Sequence, residues 1–284
     1  MDRDKFISET NDYISLVYDE FSYYQEIADT ILKEFIRICT KYDITYFMAF
    51  GSLIGAIRDK GNIPWDYDID VVVPSSQREK LIKALVNLKD GFFYKYYDNM
   101  TNYPASCLRI CLEPFPFTAL HVDVFFLVAC PDDDIKRKKF ISEINAVTEL
   151  RGKKYLIDWF YEYNPKSKLQ RLVNFFVKLR AKLIPASKLK REEDLLNKYR
   201  FGTTEYCYIV GEPYRKIFKS SWFEKRVYVD TKLGKLSVPN GYHHILTLIY
   251  GDYMKYYPIE NRFDEMYKMY KIVKKRIEEF QRDK

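Results

Sequence analysis

The chain has 284 residues and carries 47 basic against 40 acidic side chains, a net charge of +7. That length buries a full core as one large domain or two small ones, and the lack of any run of 18 apolar residues excludes a spanning helix. No apolar stretch follows Met1-Asp2-Arg3-Asp4-Lys5, so no signal peptide is expected, and five cysteines without a C-x-x-C pair read as reduced core thiols of a cytoplasmic protein, neither disulfides nor zinc ligands.

In chain order, residues 13–42 read as a helix, because Ile27, Ile31, Phe35 and Ile38 recur at helical spacing between charged residues. Residues 44–50 read as a buried strand ending at Gly51-Ser52, residues 53–58 as a helical turn, and residues 69–73 as a second strand stopped by Pro74. Ser76 with Glu79 forms a capping-box pattern for a helix burying Leu81, Ala84, Leu85 and Leu88, with Gly91 just beyond it. Residues 92–97, 107–112 and 120–127 are further strands. In the last, alternation sets Asp123 on one face with His121 and Phe125, opposite Val122, Val124 and Phe126. A helix is expected over residues 134–148, strands over 226–229 and 235–238, and a helix at His243-His244, where a solvent-facing or packing role is favoured over catalysis for both histidines. A last helix from Phe263 carries Met266, Met269, Val273, Ile277 and Phe280 on one stripe. No linker or repeat interrupts this order, so the expectation is a single α+β domain over 1–284: a mixed core sheet at 44–130, a helical, basic insertion at 134–200, and a C-terminal part at 201–284.

The acids concentrate in one place. Asp66, Asp68 and Asp70 alternate with bulky residues before an apolar strand, so an extended backbone puts them on one face. Carboxylates that close repel one another and resist desolvation. A hard divalent cation resolves both difficulties, and Asp123, an acid in the middle of an apolar strand, supplies a distant third ligand. Gly51 and Ser52 form a small-residue turn that phosphate oxygens can approach. Arg58 and Lys60 are candidates to hold phosphates. Trp65 is read either as a stacking platform or as core beside Pro64, and Arg109 as a residue pointing at Asp123 from a neighbouring strand.

The longer run Phe50-Gly51-Ser52-Leu53-Ile54-Gly55-Ala56-Ile57-Arg58, then Lys60-Gly61, then Ile63-Pro64-Trp65-Asp66-Tyr67-Asp68-Ile69-Asp70, resembles the signature of the LicD/fukutin family. His121-Val122-Asp123-Val124-Phe125, Trp222-Phe223, and Pro239 with Tyr250-Gly251-Asp252-Tyr253-Met254 extend the likeness over most of the chain. Two departures, Tyr67 in place of another Asp and Phe126 in place of a Pro, leave the acid positions intact. The resemblance implies a polymerase-beta-like nucleotidyltransferase fold. It also implies transfer of a phospho-alcohol, phosphocholine first, from a CDP-activated donor to a hydroxyl of a cell-surface or lipid-linked glycan such as lipopolysaccharide or teichoic acid, with CMP released. Carried over, Asp68, Asp70 and Asp123 are the catalytic acids and the ligands of Mg²⁺ (Mn²⁺ as the alternative ion), with Asp66 supporting them and Asp123 chosen as the base. A nucleotidyltransferase that attaches a nucleotide to a small molecule and releases pyrophosphate is the other reading of the same residues.

The positive charge is local. Residues 166–191 hold nine basic side chains and no acid, with Leu169, Leu172, Val173, Phe176, Leu179 and Leu183 on one stripe. Such a helix either lies on an anionic membrane surface, placing the protein on its inner face, or packs its stripe on the core. Nucleic-acid binding is not expected, since no reader motif accompanies the charge.

Overall fold

A computed structural model describes residues 12–282 apart from 101, 117, 160–174, 177–178, 181 and 186. Helix α1 (Asp12–Lys41) lays Ile27, Ile31, Phe35 and Ile38 into the core, as their spacing requires. Strand β1 is short (Phe47–Met48) and leads into α2 (Phe50–Ile54), which tightens into a π-turn at Gly55–Asp59. The expected strand over 44–50 is cut short because Phe50 adopts a left-handed φ of +47° and turns the chain straight into α2.

Strand β2 (Ile69–Pro74) is followed by a 3₁₀ turn (Ser75–Gln77) and α3 (Arg78–Ala84). The capping box does not form, and tertiary bonds take its place. The Gln77 side chain accepts from the Thr45 N–H at 2.8 Å, and Ser75 Oγ donates to the Leu196 carbonyl at 2.8 Å. Strands β3 (Phe92–Lys95), β4 (Leu108–Leu112) and β5 (Val122–Cys130) complete the centre of a mixed sheet, in the order β1-β2-β5-β4-β3. β5 runs parallel to β2 and antiparallel to β4. Its far half pairs with β6 (Tyr206–Val210), which pairs in turn with β7 (Ile217–Lys219).

Between β5 and β6 lies the helical insertion. α4 (Asp134–Trp159) runs past the expected end at 148, and α5 (Ser187–Leu196) is joined to it by a buried ion pair, Arg151 to Glu192 at 2.7 Å. In the basic segment, Phe176, Leu179 and Leu183 are exposed, as are Arg180, Lys182, Lys188, Lys190 and Arg191, so the described part of the stripe does not pack on the core. Lys166, Lys168, Leu169, Arg171, Leu172, Val173 and Lys178 lie outside the described residues.

The hairpin β8 (Arg226–Thr231) and β9 (Gly234–Pro239) precedes α6 (Tyr242–Tyr250) and α7 (Ile259–Arg282). α7 begins before the expected Phe263 and buries Met266 and Val273 against the core, with Met269 and Ile277 partly covered. Among the described residues the five cysteines are free and buried, and no helix is long and apolar enough to cross a membrane.

Candidate active site

Two glycines shape the site. A Cβ on Gly51 would stand 2.5 Å from Asp66 Oδ2, and one on Gly55 would stand 2.5 Å from the Gly61 carbonyl oxygen and 3.0 Å from the Ile63 nitrogen. Residues 61–66 therefore lie flat against α2 and the π-turn only because neither position carries a side chain. Ser52 Oγ accepts the Asp70 N–H at 2.9 Å, fixing the start of β2 against α2. Gly51 lines the cleft, whereas Ser52 is buried behind it.

The cleft has a volume of about 430 Å³, and Asp66, Asp68, Asp70 and Asp123 all open onto it. Asp66 and Asp68 precede the strand proper, yet the chain still delivers them to the same side as Asp70. Burial, then the neighbouring Asp68, pushes the Asp66 carboxyl well above the ordinary carboxylate range. Burial likewise raises Asp70, with Asp68, Asp123 and Asp66 adding repulsion and Arg109 partly opposing them. Among the described residues no salt bridge reaches Asp66, Asp68 or Asp70.

Asp123 differs. It is the Cα partner of Asp70 across β2–β5 and of Arg109 across β5–β4, so the three form one row over three strands. Arg109 Nε donates to Asp123 Oδ1 at 2.8 Å, and His121 Nε2 lies 3.4 Å from Oδ2. Burial alone would raise the Asp123 carboxyl, but Arg109 and then His121 outweigh it and hold the group below the ordinary range. Arg109 thus points at Asp123 as expected.

The phosphate candidates separate. Arg58 lines the cleft but is engaged: its Nη2 lies 2.9 Å from Asp59 Oδ2, its Nη1 donates to the Tyr253 carbonyl at 3.1 Å, and the Tyr256 ring lies 4.2 Å away. Lys60 is exposed in a left-handed turn and does not line the cleft. Trp65 is largely buried, edge-on to Tyr256 at 5.9 Å and beside Arg262 at 5.2 Å, and it also lines the cleft. His243 contacts the Tyr253 hydroxyl at 3.0 Å and His244 stacks on Trp222 at 5.3 Å, and both keep an exposed face, within the solvent or packing role expected of them.

Sequence reasoning missed the opposite wall of the cleft, where Tyr214, Tyr250, Lys255, Tyr257 and Glu265 face the acids. Lys255 is exposed and enters no ion pair among the described residues. The run around Tyr250-Gly251-Asp252-Tyr253 was the available signal, without any hint of which face it presents.

Four carboxylates, three of them without a basic partner, are a donor set suited to a hard divalent ion. Among the described residues, no three His, Cys, Asp or Glu side chains stand ready to hold one as they are oriented.

Residues 43–156 match the family model described as the LicD/FKTN/FKRP nucleotidyltransferase domain. Over 260 residues, 84 % of this chain and 92 % of the relative, the sequence is 24 % identical to the lipopolysaccharide cholinephosphotransferase LicD of Haemophilus influenzae. A shorter match, 28 % identical over 85 residues, covers 30 % of this chain and 31 % of the uncharacterized protein RP689 of Rickettsia prowazekii. The matched domain contains the paired glycines, the acid run and the Asp70–Asp123–Arg109 row, so the likeness to the LicD family falls on the residues that build the cleft.

Proposed function

We propose that this chain is a LicD-type phosphotransferase that moves phosphocholine from CDP-choline to a hydroxyl of a cell-surface glycan of the lipopolysaccharide or teichoic-acid kind and releases CMP, on a polymerase-beta-like nucleotidyltransferase core. The observation that carries the reading is the pair Asp70 and Asp123, in register on parallel strands at the floor of a cleft that also holds Asp66 and Asp68. The cholinephosphotransferase likeness supports phosphocholine as the group moved.

Asp68, Asp70 and Asp123 would hold Mg²⁺ or Mn²⁺, with Asp66 behind them against Gly51. Magnesium, when bound, offsets the charge of the donor pyrophosphate. The residues themselves position the reactants. Gly51 leaves room beside the acids, and Lys255, the unengaged base of the cleft lining, neutralises donor phosphate in place of Arg58 and Lys60. The acceptor oxygen forms a bond to the phosphorus bearing choline while the bond from that phosphorus to the oxygen of CMP breaks. The acceptor proton passes to a carboxylate of the cluster, and CMP leaves with the bonding electrons. Positioning and charge stabilisation supply most of the rate in such a transfer.

The exposed stripe of Phe176, Leu179 and Leu183 among basic residues supports a peripheral position on the inner face of a membrane, near a lipid-linked acceptor. The test of the main reading is product analysis of the purified chain with acceptor glycan, Mg²⁺ and either CDP-choline or nucleoside triphosphates. CMP formed from CDP-choline, with phosphocholine on the glycan, is expected. Pyrophosphate from a triphosphate, with no CMP from CDP-choline, would replace this reading with nucleotidyl transfer.

A further inference from the structure

The acids of the cleft face a wall of aromatic rings that neither phosphate nor cation binding requires. Phe125 and Phe50 meet edge-on with centroids 5.3 Å apart, Phe50 and Tyr214 lie 6.1 Å apart, and Tyr214 and Tyr250 meet edge-on at 5.3 Å. All four line the cleft, and Tyr257 stands beside them. Tyr214 keeps 40 % of its surface exposed and Tyr257 keeps 55 %. Rings of that size left open forgo burial energy that a core position would recover.

The charge around them is one-sided. Beside Asp123, which is paired to Arg109, the acids Asp66, Asp68, Asp70, Asp252 and Glu265 line the cleft against Arg58 and Lys255, and Arg58 is already bonded to Asp59. Phe50 is set against this wall by a left-handed backbone at the start of α2, with its ring beside those of Phe125 and Tyr214. A recess of ring faces in a negative cleft suits a cation that donates no hydrogen bonds. A polyol would bring several hydroxyls to a wall that offers only phenol groups as partners.

We infer that Phe50, Tyr214 and Tyr250, with Tyr257 at the rim, form the subsite that takes the quaternary ammonium of the transferred group. This assignment rests on the reading of the cleft as a CDP-alcohol site. A cytosine ring stacked on the same wall is the competing occupant.

The test is calorimetric titration of the full chain, in Mg²⁺ and without acceptor, with CDP-choline, CDP-glycerol and CMP in turn. CDP-choline is expected to bind at least about tenfold more tightly than CDP-glycerol. Tyr214→Leu is expected to remove that preference while leaving CMP affinity unchanged, and Tyr214→Phe to keep it. Tyr257→Leu, at an exposed position that does not threaten the fold, is expected to reduce the preference in part. Equal affinity for the two donors overturns the subsite but leaves phosphotransfer standing. Weaker CMP binding in Tyr214→Leu, with the donor preference intact, assigns the wall to the base. Failure of all three ligands to bind the native chain overturns the subsite and the CDP-alcohol reading together.

Discussion

Asp70 and Asp123 are the same residue type, directly paired across β2 and β5, yet the two strands treat them in opposite ways. Burial and then its acid neighbours push the Asp70 carboxyl up. Asp123 has Arg109 and His121, and its carboxyl is pulled down. One face of the sheet thus holds a carboxyl that lacks a counter-charge beside a carboxylate that carries its own. The first invites a ligand, and the second gives the floor a fixed shape whether or not a ligand is present.

That contrast predicts effects of opposite sign. Asp70→Asn should lower transfer by about a thousandfold or more while raising the melting temperature of the cation-free protein, since it removes a repelled charge; a fall in both would break the comparison. Asp123→Asn should also abolish transfer but destabilise the fold by about 3–5 kcal/mol, because the Arg109 guanidinium loses its buried partner. Denaturant unfolding of the two variants side by side makes the measurement.

Smaller effects sharpen it. Gly55→Ala forces a Cβ against backbone atoms and should cost about 1–3 kcal/mol. Gly51→Ala meets only the Asp66 carboxylate, so its main effect should be a smaller rise in melting temperature on adding Mg²⁺. Smallest is a control far from the cleft. The Arg37 hydrogen bond holds Glu34 below its ordinary range against the opposing effect of burial. A depressed carboxylate contributes stability above its unfolded pKa and loses it as pH falls through the folded one. Glu34→Gln should therefore lower the melting temperature slightly at neutral pH and flatten its decline in acid.

The site was legible where periodicity and spacing act locally. The acid run, the alternation around Asp123 and the stripe of α1 depend on residues close in sequence. So does the approach of Arg109, once two neighbouring strands are recognised. Long-range bonds set the rest. The Ser76–Glu79 pattern yields to Gln77 and Ser75 bonding elsewhere. β6 and β7 went unseen because their pairing with the far half of β5 leaves no short-range mark. Arg58 looked like a phosphate ligand because its Tyr253 partner is 195 positions away.

That last bond bears on how the chain is made. Arg58 to the Tyr253 carbonyl, Lys232 N–H to the Lys60 carbonyl and Ser237 Oγ to the Tyr46 carbonyl all join the start of the acid-bearing region to the last part of the chain. During synthesis the acids emerge early, and the groups that close the turn beside them emerge late. Contacts of such high sequence separation form slowly, so a nascent chain should carry the acid run for most of its translation before the pocket exists. The lining of the cleft is complete only when the C-terminal segment, with Tyr250, Lys255 and Glu265, has joined it.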